Sequence, residues 1–361
     1  MFDSLLLFES TLRGKRILVT GHTGFTGSWL CLWLKAIGAQ AMGYALAPIT
    51  KPSLYNELGL ESQMLSKIDD IGDCAAFARC VEEWKPELIV HLAAQPLVRY
   101  SYREPIETFA VNTLGTAHVL EAARLSSSVT SVLCITTDKV YKNPDSPRAH
   151  KEEDALGGKD PYSASKAAAE LIIDSYRASY SASKPLAIAV ARGGNIIGGG
   201  DWAEDRLIPD FVRALQSHQK LTLRYPDATR PWQHVLGLVQ GYLMLLAGLV
   251  KKPETFSTAW NFGPSDAERF TVRDVLGILS EHWAAPEIEY MEHPLHESHM
   301  LALDSSRARE QLGWVTPWDT RQVVIETADW YREFYAGKSA QDLCLGQINQ
   351  WRDELRTMMR G

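Results

Sequence analysis

The fold of this 361-residue chain is decided by a segment near its beginning, which runs Ile17-Leu18-Val19-Thr20-Gly21-His22-Thr23-Gly24-Phe25-Thr26-Gly27. The residues before Gly21 predict a short buried strand, and the apolar run Trp29 to Leu34 predicts a helix that ends near Gly38. A glycine loop between a strand and a helix is the context that a dinucleotide-binding fingerprint requires. Gly21 permits the tight turn, Gly24 lets the backbone approach a pyrophosphate, and Gly27 lets the helix pack on the strand. The helix N-terminus then faces the phosphates.

Composition indicates an ordinary globular protein, with 45% hydrophobic and 22% charged residues, long enough for one large domain or two smaller ones. The net charge of −7 predicts no broad basic face, so nucleic acid is not an expected partner. The five cysteines form no CxxC pair. This pattern favours neither a disulfide framework nor a metal site, and it indicates a reducing, cytoplasmic compartment.

No segment of the sequence predicts a membrane association. The beginning, Met1 to Glu9, lacks the basic residues of a signal peptide, and its apolar run is too short to span a bilayer. The apolar segment Val239 to Val250 is also too short, so we interpret it as a buried helix.

Four more apolar runs predict strands of the same sheet: Ala41 to Leu46, Leu88 to His91, Val132 to Ile135 and Leu186 to Val190. Strands that alternate with helices predict an α/β fold with a parallel sheet. In such a sheet, strand ends and helix starts meet at one edge, where ligands bind.

Polar side chains gather at two points that this edge should bring together. Thr136-Thr137-Asp138-Lys139 directly follows the third of these runs. Tyr162 and Lys166 are four residues apart at the start of a predicted helix, so they share one helical face. Asp160 fits the N-cap of that helix and Pro161 its first position.

The combination of the GxxGxxG loop, the Tyr-x-x-x-Lys pair and the turn Arg192-x-x-Asn195-x-x-Gly198 resembles the extended short-chain dehydrogenase/reductase family. The resemblance covers roughly residues 14 to 330 and is to members that modify nucleotide sugars. It implies a Rossmann-type doubly wound parallel sheet with a smaller C-terminal α/β lobe for the substrate. It also implies an NAD-binding domain over residues 1–191, with returning segments around 230–262, and a mainly substrate-binding domain over 192–361. Helices near 105–125 and 162–180 resemble those with which family members form homodimers.

The resemblance implies NAD as the cofactor and a set of residues that contact or support it. These residues are Gly21, Thr23, Gly24, Phe25, Thr26, Gly27, Asp70, Ile71, Leu92, Ala93, Ala94, Gln95, Asn112, Tyr162 and Lys166. The second strand ends in Ala47-Pro48 without the acidic residue that usually binds the adenosine ribose, and Lys51 leaves NADP open. Asp73 also fits the N-cap of a following helix, an alternative interpretation of the Asp70 region.

The family pattern further implies a nucleotide-sugar substrate and the residues that bind it: Arg192, Asn195, Leu207, Arg230 and His234. An Arg at position 230 suits a diphosphate because its planar guanidinium donates two hydrogen bonds. Pro231 departs from the Asp that the family usually has after this Arg.

Three residues match the groups that oxidise C4 of the sugar in this family. Tyr162 takes the proton of the C4 hydroxyl, Lys166 binds the nicotinamide ribose, and Thr137 shares the C4 oxygen. A free Tyr has a pKa near ~10, and we expect Lys166, the helix dipole and the nicotinamide ring to lower the pKa of Tyr162.

Asp138 and Lys139 indicate which reaction follows. In the 4,6-dehydratases an acid protonates the C6 hydroxyl as it leaves, a base removes the C5 proton, and the hydride returns to C6. Asp138 fits the acid. Lys139 replaces the more common Glu, as in the branch of the family that makes CDP-4-keto-6-deoxyglucose from CDP-glucose for deoxysugar and O-antigen biosynthesis. Lys139 then either removes the C5 proton as a free amine or stabilises the enolate as a cation.

Other interpretations remain open at this point. A nucleotide-sugar 4-epimerase needs only Thr137, Tyr162 and Lys166, and a non-catalytic NAD-sensing regulator needs only the glycine loop. Asp138 and Lys139 could form a surface ion pair. His293, His296 and His299 are three residues apart, but Pro294 breaks a helix there, so we interpret them as a loop and expect no metal. The tail from Trp318 to Arg360 predicts amphipathic helix packed on the small lobe.

Overall fold

The computed structural model describes residues 4–142, 148–180, 186–264, 270–291 and 302–360. Within these residues, strands form one large sheet and two small pairs. The strands are β1 (Arg16–Thr20), β2 (Gln40–Ala45), β3 (Leu65–Ile68), β4 (Leu88–His91), β5 (Ser131–Thr137), β6 (Ala187–Gly193), β7 (Ile196–Ile197), β8 (Leu221–Leu223), β9 (Gln233–His234), β10 (Ala259–Phe262) and β11 (Ile288–Tyr290).

Helices lie between most of these strands. They are α1 (Ser4–Leu12), α2 (Phe25–Ala36), α3 (Leu54–Glu57), α4 (Cys74–Trp84), α5 (Val98–Arg103), α6 (Pro105–Phe109), α7 (Gly115–Leu125), α8 (Pro161–Tyr180), α9 (Leu207–Ser217), α10 (Val235–Lys251), α11 (Pro253–Phe256), α12 (Val272–His282), α13 (Thr320–Tyr335) and α14 (Ala340–Arg360). Short 3₁₀ turns occupy Leu60–Ser62 and Asp138–Val140, and π-helical turns occupy Ala110–Leu114 and Ala308–Leu312.

The seven strands of the large sheet that the described residues form are parallel, in the order β10-β6-β5-β4-β1-β2-β3. The chain therefore moves outward from β1 in one direction to β3, returns to β4 beside β1, and continues in the other direction. This reversal between β1 and β4 opens a crevice at the carboxyl ends of the strands. The predicted Rossmann-type doubly wound fold is confirmed.

Burial along the strands explains why this sheet is parallel. Every residue of β4 and β6 is buried, and β1 is buried from Ile17 to Thr20. Such continuous apolar strands need helices on both faces. On one face α2 contributes Trp29 and Trp33, which are both fully buried, together with α10, whose residues are buried along most of its length. The segment Val239 to Val250, interpreted as a buried helix, lies within α10.

The C-terminal part of the chain adds a smaller α/β unit beside the crevice. The pairs β8–β11 and β7–β9 are parallel and lie outside the large sheet. The pairing of β7 with β9 brings residues 196–197 next to 233–234, so two segments distant in sequence meet at one side of the crevice.

The tail forms two helices, α13 and α14, because Gly337 between them has a φ of +97°, which favours glycine. The expectation that the tail packs on the small lobe is confirmed for α13, which packs against α12, β7 and β9, and is wrong for α14. Helix α14 packs against α1, α2 and α3 of the cofactor side rather than on the small lobe. Arg352 on α14 donates to the buried carboxylate of Glu9 on α1 at 2.8 Å, which ties both ends of the chain together.

Two further observations concern the predictions from sequence. Among the described residues, no helix combines the length and the apolar character needed to cross a bilayer. His293, His296 and His299 lie outside the described residues.

Candidate active site

The glycine loop between β1 and α2 is fixed by contacts that exclude side chains. Gly21 has a φ of +75°, and a Cβ atom there would lie 2.7 Å from the backbone nitrogen of Ala93. A Cβ atom on Gly27 would lie 2.2 Å from the carbonyl oxygen of Gly21. Gly24 instead faces open space, where the only neighbouring atom of its would-be Cβ is the Gly21 oxygen at 3.4 Å. The loop is therefore tightly packed at Gly21 and Gly27 and open at Gly24, next to the N-terminus of α2.

A large cavity, of about 1620 Å³, runs across the carboxyl edge of the sheet. Its walls include the glycine loop, the end of β2, the end of β5, the start of α8 and the segment from β8 to β9 in the small lobe. The two clusters of polar residues that the sequence predicted are both part of its lining.

The end of β5 presents Thr137 and Asp138 to this cavity. The strand stops here because Asp138 begins a 3₁₀ turn, whose backbone nitrogen at Lys139 lies 3.4 Å from the Thr137 hydroxyl. The same hydroxyl donates a hydrogen bond to the Asp138 carboxylate at 2.9 Å. Thr137 and Asp138 are buried, whereas Lys139 is half-buried. The first two side chains are therefore fixed and the third has more freedom.

The carboxyl group of Asp138 has an unusual environment. It is 3% exposed, and burial raises its pKa above the ordinary value. The positive charges of Lys139 and Arg230 and the hydrogen bond from Thr137 oppose this rise, but less strongly. A carboxyl group whose pKa is raised stays protonated to higher pH, which is the property that a general acid needs.

Tyr162 lies in the first turn of α8, next to this acid. Asp160 caps the helix by accepting from the backbone nitrogen of Ser163 at 2.9 Å, and the backbone nitrogen of Tyr162 donates to Ser101 Oγ at 3.2 Å. Burial raises the pKa of Tyr162 to about 12, and the charges of Asp138 and Asp160 act in the same direction. Burial therefore outweighs the protein groups that were expected to lower this pKa, and the lowering expected from the nicotinamide ring stays a prediction.

The cation that acts on Tyr162 is also different from the expected one. Arg206, just before α9, and the hydroxyl of Thr137 are the groups that favour the phenolate. Lys166 lies one helical turn after Tyr162, and its ammonium donates to the carbonyl oxygen of Ile135 at 3.3 Å. Burial lowers the pKa of Lys166 to about 8, which Cys134 and Glu170 oppose.

A buried network supports these residues from below. The carboxylate of Glu170 accepts a bifurcated hydrogen bond from the Nε–H group of Arg192, at 3.0 Å to each oxygen, and another of 2.7 Å from Thr136. Arg192 also donates to the hydroxyl of Tyr141 at 2.6 Å, and Tyr141 donates to Oδ1 of Asn261 at 2.6 Å. The network therefore joins α8, β6 and β10 to the turn that carries Asp138 and Lys139.

Comparisons with known proteins agree with this geometry. A family model described as GDP-mannose 4,6 dehydratase matches residues 18–327. The chain belongs to this dehydratase family. A CDP-glucose 4,6-dehydratase of Salmonella typhimurium is 42% identical over 334 residues, which is 90% of this chain and 93% of that protein. A dTDP-D-glucose 4,6-dehydratase of Homo sapiens is 27% identical over 88% of this chain and 90% of its own length.

Two solved structures show the same fold as this family member. One is a dTDP-glucose 4,6-dehydratase from Bacillus anthracis in complex with NAD, with a TM-score of 0.74 and 22% identity over 88% of this chain and 97% of that one. The other is a UDP-glucose 4-epimerase from Thermus thermophilus in complex with NAD, with a TM-score of 0.75 and 24% identity over 88% of this chain and 99% of that one.

Most cofactor residues predicted for this dehydratase-family chain lie together on the cavity wall. They are Gly21, Thr23, Gly24, Phe25, Thr26, Gly27, Asp70, Ile71, Leu92, Ala93, Ala94, Tyr162 and Lys166. Gln95 and Asn112 do not line it. Oδ1 of Asn112 accepts from the backbone nitrogen of Gln95 at 2.8 Å, and its Nδ2 donates to Ser165 on α8 at 2.9 Å. These two residues support the wall from behind. Asp73 caps α4, as the alternative interpretation predicted.

The end of β2 bears on the choice between NAD and NADP. The cavity wall there consists of Leu46 to Thr50, and Thr23 donates from its hydroxyl to the carbonyl oxygen of Leu46 at 2.8 Å. Lys51, which left NADP open, is not part of the wall. Lys51 therefore gives no structural support for NADP.

Among the predicted substrate residues, Asn195, Leu207 and Arg230 line the cavity, but Arg192 and His234 do not. The assignment of Arg192 to the substrate is wrong because its guanidinium is 4% exposed and already bonded to Glu170 and Tyr141. It binds the protein's own network.

The assignment of His234 to the substrate is also wrong. Its ring is 1% exposed and packs against Trp29, Trp318 and Trp351, with ring centroids 4.9 to 6.0 Å away. Its Nδ1 accepts from the backbone nitrogen of Leu236 at 3.2 Å, so the side chain caps α10. Burial lowers its pKa to about 3, which keeps the ring neutral.

Sequence reasoning missed several residues of the site. Arg206 lines the cavity and pairs with Asp201 at 2.8 Å, and nothing in its local sequence distinguishes it from other surface arginines. Glu170 carried a usable signal, because it lies four residues after Lys166 and continues the face of Tyr162. Ser101 carried none, since its contact with α8 depends on the tertiary fold.

Proposed function

We propose that this chain is an NAD-dependent nucleotide-sugar 4,6-dehydratase that converts CDP-glucose to CDP-4-keto-6-deoxyglucose. The observation that carries the proposal is the buried carboxyl group of Asp138, with its raised pKa, beside Thr137 and Lys139 in the cavity that holds Tyr162. A 4-epimerase has no use for a protonated acid at this position. Support for CDP-glucose comes from the CDP-glucose 4,6-dehydratase that is 42% identical along nearly the whole chain.

The residues around the glycine loop fit NAD. The open face of Gly24 and the N-terminus of α2 suit a pyrophosphate, because backbone N–H groups and the helix dipole favour negative charge there. Asp70 and Ile71 would lie against the adenine, and Leu92, Ala93 and Ala94 would pack on the dinucleotide. When bound, NAD accepts a hydride from the sugar and later returns it.

Three side chains would act at C4 of the sugar. Tyr162 accepts the proton of the C4 hydroxyl, Thr137 hydrogen-bonds the same oxygen, and Lys166 holds the ribose next to the nicotinamide. Because burial places the pKa of Tyr162 near 12, the phenol is protonated at neutral pH among the protein's own charges. Proton removal from Tyr162 must therefore be coupled to binding of a positive charge, and Arg206 already favours it.

Two side chains would carry out the loss of water. Asp138 donates its proton to the C6 hydroxyl as the C–O bond breaks, and Lys139 acts at C5. Lys139 either removes the C5 proton as the free amine or, as a cation, stabilises the enolate that forms there. Its half-buried position on the cavity wall permits both roles.

The small lobe would bind the nucleotide part of the substrate. Arg230 suits the diphosphate because guanidinium groups bind phosphate with two hydrogen bonds, and Asn195 and Leu207 also line the cavity. We assign residues 1–191, with returning segments around 230–262, to the cofactor domain and residues 192–361 mainly to the substrate domain, with Arg230 acting on the substrate at the start of a returning segment. The position of β10 beside β6 supports the returning segment.

We also propose that the chain forms a homodimer through α6, α7 and α8. Ile106 on α6, Leu125 on α7 and Leu171 on α8 are 81%, 66% and 63% exposed, although all three are large apolar side chains. Large exposed apolar side chains on helices that pack together favour a protein partner. We place the protein in a reducing, cytoplasmic compartment, because its five cysteines are free and four of them are buried.

The test is incubation with CDP-, dTDP-, UDP- and GDP-glucose in the presence of NAD. We expect the ultraviolet chromophore that 4-keto-6-deoxy sugars give in alkali, with CDP-glucose as the preferred substrate. Formation of CDP-galactose without this chromophore would instead establish a 4-epimerase. Binding of NAD without turnover of any sugar would establish a non-catalytic sensor.

A further inference from the structure

Three segments meet around the carboxyl group of Asp138, and the sheet registers explain how. In the pairing of β5 with β6, Thr137 lies opposite Gly193, so Gly194 comes alongside Asp138. In the pairing of β7 with β9, Ile196 lies opposite Gln233, so the preceding residues place Pro231 beside Gly194. The order across this corner of the site is therefore Asp138, Gly194, Pro231.

The fit at this corner is tight. A Cβ atom on Gly194 would lie 3.2 Å from Oδ2 of Asp138 and 3.2 Å from Cγ of Pro231. A methyl group on residue 194 would therefore need the carboxyl group or the proline ring to move by a few tenths of an ångström. Its φ is outside the left-handed region, so the glycine is needed here for space rather than for its backbone conformation.

The side chains of the two neighbours, Gly194 and Pro231, offer no polar atom to the acid. Gly194 presents a Cα and Pro231 a ring methylene, and neither side chain can hydrogen-bond the carboxyl group. The polar and charged groups that act on Asp138 come from elsewhere: Thr137 and Lys139 on its own segment, and Arg230 before β9. The titratable Tyr162 on α8 interacts with it as well.

We propose that Gly194 and Pro231 are positioning residues for the acid, forming an apolar wall that excludes water from one side of the Asp138 carboxyl group. The inference rests on the proposed 4,6-dehydratase reaction, in which Asp138 donates a proton. It assigns a purpose to Pro231, the residue that departs from the usual Asp of the family pattern.

The wall accounts for the raised pKa of Asp138 and for the position of its carboxyl group, which the charged neighbours do not explain. Lys139 and Arg230 both favour the ionised form, yet burial dominates and the pKa of Asp138 is raised. Water in the place of the Pro231 ring would solvate the carboxylate. The pKa of Asp138 would then fall, because Lys139 and Arg230 favour the ionised form. Glycine at position 194 also leaves the carboxyl group in its place, because a Cβ atom there would press on Oδ2.

The decisive experiment compares Pro231→Ala with Pro231→Val. Both variants gain a backbone N–H and lose the ring constraint, but only Val restores apolar bulk near the ring methylene. We expect Pro231→Ala to move the alkaline limb of the dehydration pH profile down by about one pH unit, the size of change that one altered neighbour commonly causes. We expect Pro231→Val to stay near the unmodified protein, and Pro253→Ala, at an exposed proline far from the site, to have no effect.

A second readout does not depend on turnover. Infrared difference spectra of the protein labelled with ¹³C-aspartate, with Asp138→Asn for assignment, follow the protonated carboxyl band of Asp138 against pH. The Pro231→Ala protein should lose this band at lower pH than the unmodified protein. If neither the unmodified protein nor any variant dehydrates a sugar, the proposed function fails. The infrared titration of the Asp138 carboxyl band would still test the apolar wall in that case.

Gly194→Ala tests the steric part of the inference. Its Cβ must displace Oδ2 by a few tenths of an ångström, so dehydration should slow severalfold relative to C4 oxidation measured in a single turnover. Gly277→Ala, where the new Cβ meets nothing within 4 Å, is the matched control. The inference would be overturned by equal pH profiles for Pro231→Ala and Pro231→Val. It would also be overturned if Gly194→Ala left the ratio of the dehydration rate to the C4 oxidation rate unchanged.

Discussion

Replacement of Asp138 by Asn separates the loss of water from the oxidation at C4. The substitution keeps the shape of the side chain and the oxygen that accepts from Thr137 at 2.9 Å, but it removes the transferable proton. Positioned general acids contribute roughly 10²- to 10⁴-fold to a rate. We therefore expect dehydration by Asp138→Asn to fall by about that factor, equivalent to about 3 to 5 kcal/mol of barrier.

The same substitution should stabilise the fold at neutral pH. In the folded protein the pKa of Asp138 is raised by burial above its unfolded value, so ionisation disfavours the native state. The stability associated with the protonated carboxyl group is complete below the unfolded pKa, near ~3.9, and is lost as the pH rises through the folded pKa. Asn never ionises, so the advantage of Asp138→Asn should grow across that window, by about 1.4 kcal/mol for each pH unit that separates the folded pKa from the unfolded one, and then stay constant.

Two measurements check these expectations. Single-turnover mixing with CDP-glucose should show C4 oxidation, followed as NADH absorbance, at close to the normal rate, while the alkaline chromophore almost disappears. Urea unfolding from pH 4 to pH 8 should give the difference in stability between Asp138→Asn and the unmodified protein. Asp174→Asn is the matched control, since Asp174 is exposed on α8. Undiminished water loss in Asp138→Asn would refute the acid assignment, and a stability difference that is flat with pH would refute the raised pKa.

Four further predictions concern the rest of the site. Tyr162→Phe should fail at the first step because no group remains to accept the C4 proton, and NADH appearing at the normal rate in a single turnover would contradict this. Lys139→Met should stop the exchange of solvent deuterium into C5 of the sugar, and exchange at the normal rate would exclude Lys139 as the base. Glu170→Gln should lower the free energy of unfolding by about 3–5 kcal/mol, because it leaves the guanidinium of Arg192 buried without its counter-charge; denaturant titration would show it. Gly27→Ala should weaken NAD binding in calorimetry, whereas Gly277→Ala should not, since only the former places a Cβ 2.2 Å from a backbone oxygen.

The sequence was sufficient to predict the fold because its signals are local. A glycine loop between a buried strand and a helix, repeated apolar runs and the helix start at Asp160-Pro161 each report on a few adjacent residues. The resulting order of strands follows from the handedness of their crossovers. The tail was predicted less well, because amphipathicity shows that a helix has an apolar face but does not show which surface covers it. Helix α14 turned out to cover α1, α2 and α3.

The side chains proposed to be catalytic could be placed together from the sequence for a related reason. Thr137, Asp138 and Lys139 are neighbours, and Tyr162 and Lys166 share a helical face, so local geometry already fixes their relations. Arg192 and His234 could not be judged in this way. Arg192 binds the buried Glu170, which lies 22 residues away in the sequence, and local sequence does not show this contact. Whether a histidine faces a cavity or three tryptophans depends on where α13 and α14 pack.

The raised pKa of Tyr162 bears on the proposed mechanism. Counting nearby charges predicts a lowered pKa, since Lys166 and a helix N-terminus are both close. The structure adds burial, and burial raises the pKa of Tyr162 and of Asp138 together, while the charge of Asp138 raises that of Tyr162 further. Two adjacent groups that both resist ionisation are suited to hold protons until the substrate and a positive charge arrive. In the proposed mechanism, burial would therefore serve Asp138 as the acid, and Tyr162 would depend on the positive charge of the bound cofactor before it accepts the C4 proton.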